Sequence, residues 1–493
     1  MERLQPSCHR ARRGDLSGRT DVCRLPRVVS TSLGALTMAG IGFELRRILR
    51  RKSYFSLIQA YTYAGIVSSG PWLLSIFGIL LLGFLAVAQH STAIAVIQFQ
   101  VSVTYLIAVS LILTGPVQLL FTRYIADMLF ARQATSVVMI LLSMLAIALV
   151  PGAIFASVVL KFWFADTPYL YRVLMGLAFV ELCAVWVLTI MGTSLKDYKG
   201  LVSLYFLAYA TVVVLGLPLG VRFGLDGYLA AFVLGQFLLL LGLGVLVVRQ
   251  FPGYLQWRMA KDASLFWSLS IVGLTFNAGV WIDKFLFWFN PATGAAIIGP
   301  LHASPIYDVP IFLSYLLIIP GLAVFLFRLE TDFVESYDDY NRAIMDGGSY
   351  GELRAAKIGM IMATRTGLWD IAKIQGVTVL LAFAFTPQLL HLLGYSASYG
   401  RIFQFDVVGV SLQLLLMSLL NVYFYLDLRG RSVLLSVVFF LGNLFFTWLT
   451  LQAGTFFYGL GFLLALFLVD VLGIYLLSRD LERIDYLTFT KVR

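Results

Sequence analysis

The side chains with the most potential for chemistry are charged residues that interrupt long apolar stretches. Asp283 and Lys284 lie within one such stretch, and Asp308 lies in the next, flanked by Pro305 and Pro310. Placing an ionised side chain inside a bilayer costs at least about 3 kcal/mol, so we expect these residues to pair or to serve a function. Prolines beside an acid indicate a broken helix with free backbone groups, which is typical of ion and substrate sites. A cap at the end of a helix is the alternative for Asp308.

A stripe of polar and aromatic residues accompanies these charges. Asn277, Trp281, Lys284 and Trp288 recur at helical spacing and therefore lie on one face of a helix. Two earlier segments carry matching faces, which consist of Tyr61, Gly65, Ser68, Trp72 and Ser75 in one and of Gln98, Ser102 and Tyr105 in the other. Aromatic rings stack on the apolar faces of sugar rings and amides bind hydroxyl groups, so these faces predict the lining of a carbohydrate path. Helix packing and anchoring at the membrane surface are the alternative.

Further charged residues in apolar stretches are candidates for ion or proton linkage, or for pairing with one another. They are Glu181, Asp370, Lys373, Asp406 and Asp470. Asp370 and Lys373 are three residues apart on one helix face, so structural pairing is favoured for them. Each of the other three acids could take a proton or pair with a lysine, and the sequence does not choose between these roles.

Motifs for catalysis are missing from the sequence. It contains no Gly-rich phosphate-binding loop followed by Lys and Ser or Thr, and no paired His or Cys spacing for a metal. The four histidines and three cysteines are scattered. We therefore expect no metal and no cofactor, and we predict that the protein is not an enzyme.

The composition predicts a membrane protein built of helices. Hydrophobic residues make up 60% of the chain and charged residues 13%, whereas soluble domains carry about a quarter charged residues. The apolar runs are long and lack a period of two, which favours spanning helices over a β-barrel. Twelve spans are predicted, at residues 57–88, 94–121, 137–160, 170–194, 200–218, 227–250, 264–290, 303–327, 366–386, 402–427, 432–453 and 456–478.

The distribution of Lys and Arg predicts the orientation of these spans. One set of connections, which includes 46–52, 249–261 and 479–493, is rich in Lys and Arg. The alternate set holds only Lys161, Arg172, Arg222 and Arg401. Because basic connections stay on the cytoplasmic side, both termini are expected in the cytoplasm. The net charge of +10 follows from this placement, so it does not indicate a nucleic-acid partner.

The spans divide the chain into two halves of six helices. The predicted segments are a disordered tail or misassigned start at 1–37, a cytoplasmic amphipathic segment at 38–56, a first bundle at 57–250, a cytoplasmic linker at 251–263, a second bundle at 264–478 and a cytoplasmic tail at 479–493. The second bundle contains a cytoplasmic loop at 328–365, where two short helices around Gly347-Gly348 are expected. This loop is either a solvated linker or a docking surface for a cytosolic partner.

Long unbroken stretches also resemble a known family. The segment from Met38, MAGIGFELRRILRRKSYFSLIQAYTYAGIVSSGPWLLSIFGI, and the later stretches GPLHASPIYDVPIFLSYLLIIPGLAVFLFRLETDFVESYDDY and FYLDLRGRS closely resemble the Pel exopolysaccharide membrane proteins over residues 38–493. The resemblance implies membership of the multidrug/oligosaccharidyl-lipid/polysaccharide exporter superfamily. It implies two six-helix bundles around a central cavity lined by the first and seventh helices.

The same resemblance implies a function and partners. The implied function is export of Pel, a galactosamine-containing polysaccharide of biofilm matrices, across the inner membrane. The implied partners are a cytosolic glycosyltransferase and further inner-membrane proteins, including a cyclic-di-GMP receptor, besides the polysaccharide and membrane lipid. Two other functions stay open: a small-cation or drug antiporter of the same fold, and a membrane scaffold that assembles the polysaccharide synthase.

Overall fold

The computed structural model describes residues 74–86, 93–130, 134–193, 198–250 and 267–490. The amphipathic segment 38–56, the linker 251–263 and the predicted lining residues Tyr61, Ser68 and Trp72 lie outside these ranges. The described part of the first half consists of helices α1 (Leu74–Ala86), α2 (Ala93–Phe130), α3 (Ala134–Phe162), α4 (Tyr169–Thr193), α5 (Tyr198–Phe223) and α6 (Leu225–Gln250).

The second half begins with helix α7 and a short β-hairpin. Helix α7 covers Trp267–Phe289, and strands β1 (Ala295–Ile298) and β2 (Leu301–Ala303) pair in antiparallel fashion. The remaining helices are α8 (Pro305–Leu316), α9 (Ile319–Phe327), α10 (Val334–Met345), α11 (Tyr350–Leu392), α12 (Tyr399–Tyr425), α13 (Arg429–Ala453), α14 (Leu460–Glu482) and α15 (Ile484–Thr490).

Within the described ranges, 11 helical segments are long and apolar enough to cross a membrane. They correspond to the second through twelfth predicted spans, and α1 is the described part of the first. The length of an apolar run decides this result, because a helix needs about 20 residues to cross the hydrocarbon layer. The predicted all-α membrane fold is therefore confirmed.

The buried apolar side chains form two large clusters, one for each half. The first runs from Leu82 to Val247 along α1–α6, and the second runs from Phe287 to Ile484 along α7–α15. Leu269 and Trp288 of α7 and Leu301 of β2 belong to the first cluster although they lie in the second half. The bundles thus have separate cores, and α7 with the hairpin connects them.

Helices α2 and α7 pack against each other in antiparallel fashion along most of their length. The Asn277 amide donates to the Leu111 carbonyl at 3.2 Å, and the Ser270 hydroxyl donates to the Pro116 carbonyl at 3.0 Å. The backbones approach most closely between Gly115 and Gly273, where a Cβ built on Gly273 would lie 2.1 Å from the Gly115 carbonyl oxygen. Only glycine at both positions permits this approach.

The segment predicted as a cytoplasmic loop, residues 328–365, contains the two helices expected around Gly347-Gly348. They differ from the expectation in being continuous with the spans, because α10 follows α9 through a π-helical turn at Arg328–Phe333 and α11 has 43 residues. At a rise of 1.5 Å per residue α11 is about 64 Å long, roughly twice the hydrocarbon thickness. The eighth and ninth spans therefore continue beyond the bilayer as a helical hairpin.

Candidate functional site

A buried ammonium, that of Lys284 on α7, lies at the centre of the candidate site. Its Nζ donates to the two carboxylate oxygens of Asp283 at 3.0 and 3.2 Å and to the Val280 carbonyl at 2.8 Å. Asp283 is 0% exposed and Lys284 is 5% exposed. An ammonium has three N–H donors, so these three acceptors match its full donor capacity.

Aromatic rings from three helices surround the same ammonium. The Lys284 Nζ lies 5.7 Å from the ring centre of Trp281 on α7, 5.3 Å from that of Tyr315 on α8 and 5.4 Å from that of Phe462 on α14. Cations within about 6 Å of such ring faces are attracted by the ring quadrupole, and the attraction strengthens when water is excluded. The lysine thus sits in an aromatic cage inside the second bundle.

Asp283 is held by neighbours on other helices as well. The Tyr307 hydroxyl of α8 donates to its Oδ2 at 2.5 Å, and the Asn443 amide of α13 donates to the Gly279 carbonyl at 2.8 Å and to Asp283 Oδ1 at 3.4 Å. Thr447 in turn donates to the Asn443 side-chain oxygen at 2.8 Å. Hydrogen bonds from charged and neutral donors thereby replace the water that a buried carboxylate loses.

A second carboxylate, Asp406 on α12, faces the same cluster. It is 0% exposed, and neither of its oxygens has a hydrogen-bond partner within the described part of the chain. Asp406 interacts electrostatically with Asp283 and Lys284. One ammonium therefore lies near two buried carboxyl groups in what we call the charge cluster, Asp283, Lys284 and Asp406.

The structure separates the stripe predicted on α7. Asn277, Trp281 and Trp288 face the first bundle, as expected for residues along the junction, but the Lys284 ammonium lies within the second bundle. The α-carbon of Lys284 is on the predicted face, and the flexible four-carbon stem carries the charge back to Asp283 and Val280. The expected position of the Lys284 charge on the lining face is therefore corrected to the interior of the second bundle.

Four aromatic residues meet where α7 crosses α2, and we call them the aromatic cluster. Tyr105 stacks on Trp288 with ring centres 4.5 Å apart, and Phe285 meets both rings edge-on at 5.9 and 5.1 Å. Trp281 lies 6.4 Å from Trp288 and completes the cluster. Such offset and edge-to-face pairs contribute about 0.5–1.5 kcal/mol each beyond the area they bury.

The hairpin between α7 and α8 crosses from the second bundle onto the first, and we call residues 295–303 the strap. The Gln98 amide donates to the Ile297 carbonyl at 3.3 Å, and the Tyr105 hydroxyl donates to the His302 carbonyl at 2.9 Å. At the turn, Gly299 has a φ of +50° and packs beside Thr167 in the connection between α3 and α4. The strap therefore ties the two bundles together at one end of α2 and α7.

Asp308 belongs to this end of the molecule, and its helix is not broken there. The helix begins at Pro305, where a proline is tolerated because the first N–H groups have no intrahelical partner. Asp308 accepts hydrogen bonds from the Trp288 indole at 2.7 Å and from the Ser304 backbone N–H at 2.8 Å. The carboxylate thus caps the helix and orients Trp288, and the interruption lies further on, at residues 317–318.

The other predicted charged residues are dispersed over the molecule. Asp370 on α11 accepts from Lys373 at 3.3 Å and from Arg328 at 2.8 Å, which makes it part of a structural ion-pair group. Asp470 on α14 is 2% exposed and has no hydrogen-bond partner within the described residues. Glu181 on α4 is half-buried, and its Oε2 atom likewise has no hydrogen-bond partner within the described residues. None of these residues is brought into the charge cluster.

Several residues that surround the charge cluster were not predicted. Tyr307 and Tyr315 of α8, Gln413 of α12 and Asn443 of α13 supply polar groups around it. Each is a polar side chain in an apolar span, and Asn443 with Thr447 repeats at helical spacing, so polarity within spans was the available signal. Glu330 is a further case, because it is buried and accepts from Asn421 and Tyr425 although its acidic surroundings suggested a solvated loop.

Comparisons with known proteins agree with this architecture. The model of the PelG family, described as exopolysaccharide exporters (EPS-E), matches residues 38–489. Among curated protein sequences none matches this chain.

Several solved transporter structures share the fold. One is a point mutant of a MATE transporter, with 12% identity, a TM-score of 0.60 and coverage of 94% of this chain and 100% of that chain. Another is a MATE transporter in a bent conformation, with 13% identity, a TM-score of 0.59 and coverage of 92% and 99%. A third is a MOP superfamily transporter from Pyrococcus furiosus, with 13% identity, a TM-score of 0.52 and coverage of 94% and 99%. At these identities the likeness establishes the fold alone. Together with the family match, the membrane-length helices show a multi-pass inner-membrane protein.

Proposed function

Because the chain belongs to the PelG family of exopolysaccharide exporters, we propose that it carries a galactosamine-containing polysaccharide of the Pel type across the inner membrane for a biofilm matrix. The observation that carries the proposal is the aromatic cluster at the junction of the two bundles. The family is one of exporters, and the junction is the surface at which two bundles with separate cores can part to admit a substrate. Residues at the junction are therefore the ones that a moving polymer would meet.

The chemistry of the junction suits a sugar chain. Trp281 and Trp288 offer flat apolar faces, and the amides of Gln98 and Asn277 lie on the same α2–α7 contact. Sugar rings present apolar C–H faces to aromatic rings and hydroxyl groups to amides. When α2 and α7 separate, the groups that now bind across the junction become available to the polymer.

The proposed direction of transport follows from the distribution of basic residues. With both termini in the cytoplasm, the strap lies on the periplasmic side, and the α10–α11 hairpin extends into the cytoplasm. A cytosolic glycosyltransferase would then deliver the growing chain on the α10–α11 side. The strap would have to release the first bundle before the polymer leaves.

The test is export of polymer by cells that carry Trp281→Ala, with Trp448→Ala as the matched control. Trp448 on α13 is 51% exposed and faces away from the junction, so its loss removes the same volume from the outer surface. We expect export to fall at least tenfold in Trp281→Ala and to stay normal in Trp448→Ala, with equal amounts of inserted protein. Normal export by Trp281→Ala would contradict the path along α7 and favour the scaffold function.

A second candidate function is antiport of small cations, and the buried Asp470 carboxyl, which has no hydrogen-bond partner within the described residues, is the observation that favours it. Two of the solved structures of this fold belong to multidrug resistance MATE transporters. A buried acid without a partner inside a span is a place where a cation could bind. Uptake of a cationic dye by vesicles that contain only the purified protein would support this function, and uptake no faster than in empty vesicles would exclude that dye class.

A further inference from the structure

The Lys284 ammonium has the complete surroundings of a bound cation. Two carboxylate oxygens and one backbone carbonyl accept its three N–H groups, and three aromatic rings lie around it at 5.3–5.7 Å. The ammonium is contributed by the chain itself, and it is removed from solvent. We infer that Lys284 is the tethered occupant of a monovalent-cation site in the second bundle, and that shortening this side chain opens the site to ammonium-type cations from solution.

The shape of the site favours a cation of this class. The carbonyl and carboxylate oxygens lie 2.8–3.2 Å from the Lys284 Nζ, which matches N–H···O hydrogen bonds. In contrast, Mg²⁺ or Ca²⁺ would require a larger number of oxygen ligands at shorter distances, about 2.0–2.6 Å. No group of three or more metal-ligating side chains exists among the described residues. Aromatic faces add attraction for organic ammonium ions in particular.

The charge of the surrounding helices explains why a cation must be present. The acids that interact with Lys284 are Asp283 on α7, Asp308 on α8 and Asp406 on α12, and the Tyr315 ring lies beside it. Asp308 is held by the Trp288 indole and the Ser304 backbone N–H, whereas Asp283 and Asp406 are both 0% exposed. Removing the ammonium would leave the buried Asp283 carboxylate without a cation, an arrangement that low-dielectric surroundings strongly disfavour.

A consequence for transport follows from the tether. A cation that is covalently attached to α7 cannot leave for either side of the membrane, so the charge cluster does not exchange sodium or potassium ions during a cycle. The ion dependence of the protein, whatever its substrate, does not arise at Asp283. This conclusion is independent of the polymer that is proposed above.

The test compares the purified full-length protein with Lys284→Ala and with the control Lys373→Ala. Lys373 also pairs with an aspartate, but it is exposed and lies over Trp369 on the surface of α11. Thermal unfolding is followed at constant ionic strength in methylammonium, ammonium, sodium or choline chloride. We expect a lower Tm for Lys284→Ala in choline and a saturable recovery of at least half of the loss in methylammonium or ammonium. Wild type and Lys373→Ala should give the same Tm in all four salts.

Two results would overturn the inference. One is a Tm of Lys284→Ala that does not respond to methylammonium or ammonium, and the other is a wild-type protein with the same saturable response as the variant. If Lys284→Ala does not fold, the double variant Asp283→Asn/Lys284→Met keeps the inference testable. It lacks the Asp283 charge, and the methionine fills most of the space of the lysine stem, so the variant should fold and be insensitive to all four salts. Failure to fold, or a response to methylammonium, would contradict the tethered cation.

Discussion

The close contact of Gly115 and Gly273 makes a single methyl group a sharp probe of the junction between the bundles. A Cβ on residue 273 would lie 2.1 Å from the Gly115 carbonyl oxygen and 2.6 Å from its carbonyl carbon. Both neighbours are backbone atoms in the middle of α2, so no side chain can rotate away. In Gly273→Ala the two helices must therefore separate by about 1 Å to restore van der Waals contact.

The energy of this change can be worked from the packing. Overfilling a tightly packed contact costs about 1–3 kcal/mol, which is a factor of roughly 5 to 150 in an equilibrium constant. The methyl group penalises only the arrangement in which α2 and α7 touch. If the bundles separate during transport, the penalty shifts the population towards the separated arrangement by this factor.

The rate of chemical cross-linking between α2 and the strap reports the population of the arrangement in which the two bundles touch. Gln98 on α2 and Ile297 in the strap are joined by a hydrogen bond of 3.3 Å, so cysteines at both positions should be linked through two disulfide bonds by a short bis-methanethiosulfonate reagent. We expect the rate of cross-linking to fall at least fivefold when Gly273→Ala is added. Gly376→Ala is the control, because Gly376 lies within α11 and a Cβ added to it would have nothing within 4 Å.

An unchanged cross-linking rate in Gly273→Ala would refute this reasoning. It would mean that the α2–α7 contact and the strap are not coupled. An equal fall of the cross-linking rate in Gly273→Ala and Gly376→Ala would also contradict it, because Gly376→Ala only adds helix propensity on an exposed face. Comparable amounts of membrane-inserted protein are needed in all variants.

Three further results are expected. Lys284→Met should lower the unfolding free energy in mixed micelles by about 3–5 kcal/mol, and Asp283→Asn added to it should restore most of the loss, because a neutral pair needs no compensation. Cells that carry the Gln98→Cys/Ile297→Cys variant should stop exporting polymer when the two cysteines are cross-linked, and export should recover after reduction. Cells that carry either single variant should export normally throughout. Glu330→Leu should lower the unfolding free energy by about 1–3 kcal/mol, because Asn421 and Tyr425 would lose their acceptor; no measurable change would contradict the buried network.

The membrane spans and the family could be predicted from sequence because both depend on long stretches of the chain. An apolar run of about 20 residues specifies a spanning helix whatever its neighbours are. The continuation of the eighth helix beyond Arg328 was not predicted, because the acidic residues there end the apolar run and are typical of a solvated loop. Glu330 is buried only because Asn421 and Tyr425, about 90 residues away, lie opposite to it.

The charge cluster could be predicted only in part. Asp283 and Lys284 were identified because two adjacent charges in a span are costly and therefore conspicuous. Their partners come from other helices, and spacing within one helix carries no information about which residue of α12 or α13 faces α7. The direction of the Lys284 side chain was not predictable either, because its flexible stem can reach either side of the stripe.

The strap was missed because it is too short to have a pattern. Its two strands contain four and three residues, and alternation over so few positions does not distinguish a strand from a loop. The turn at Gly299-Pro300 was the available signal, since glycine before proline commonly marks a turn. The contacts of Gln98 and Tyr105 with the strap join residues almost 200 positions apart.

The free energy that holds the strap closed sets the binding free energy that a polymer must supply to open it. Two hydrogen bonds, from Gln98 and Tyr105, provide about 0.5–1.5 kcal/mol each. The stacked pair of Tyr105 and Trp288 adds a similar amount. A closure of roughly 1.5–4.5 kcal/mol holds the bundles together in the absence of substrate, and a polymer that binds the separated arrangement more than about 10–10³ times more tightly would reverse it. We propose that sugar rings stacked on Trp281 and Trp288 supply this difference in affinity, so that loading of the path by a growing chain opens the strap.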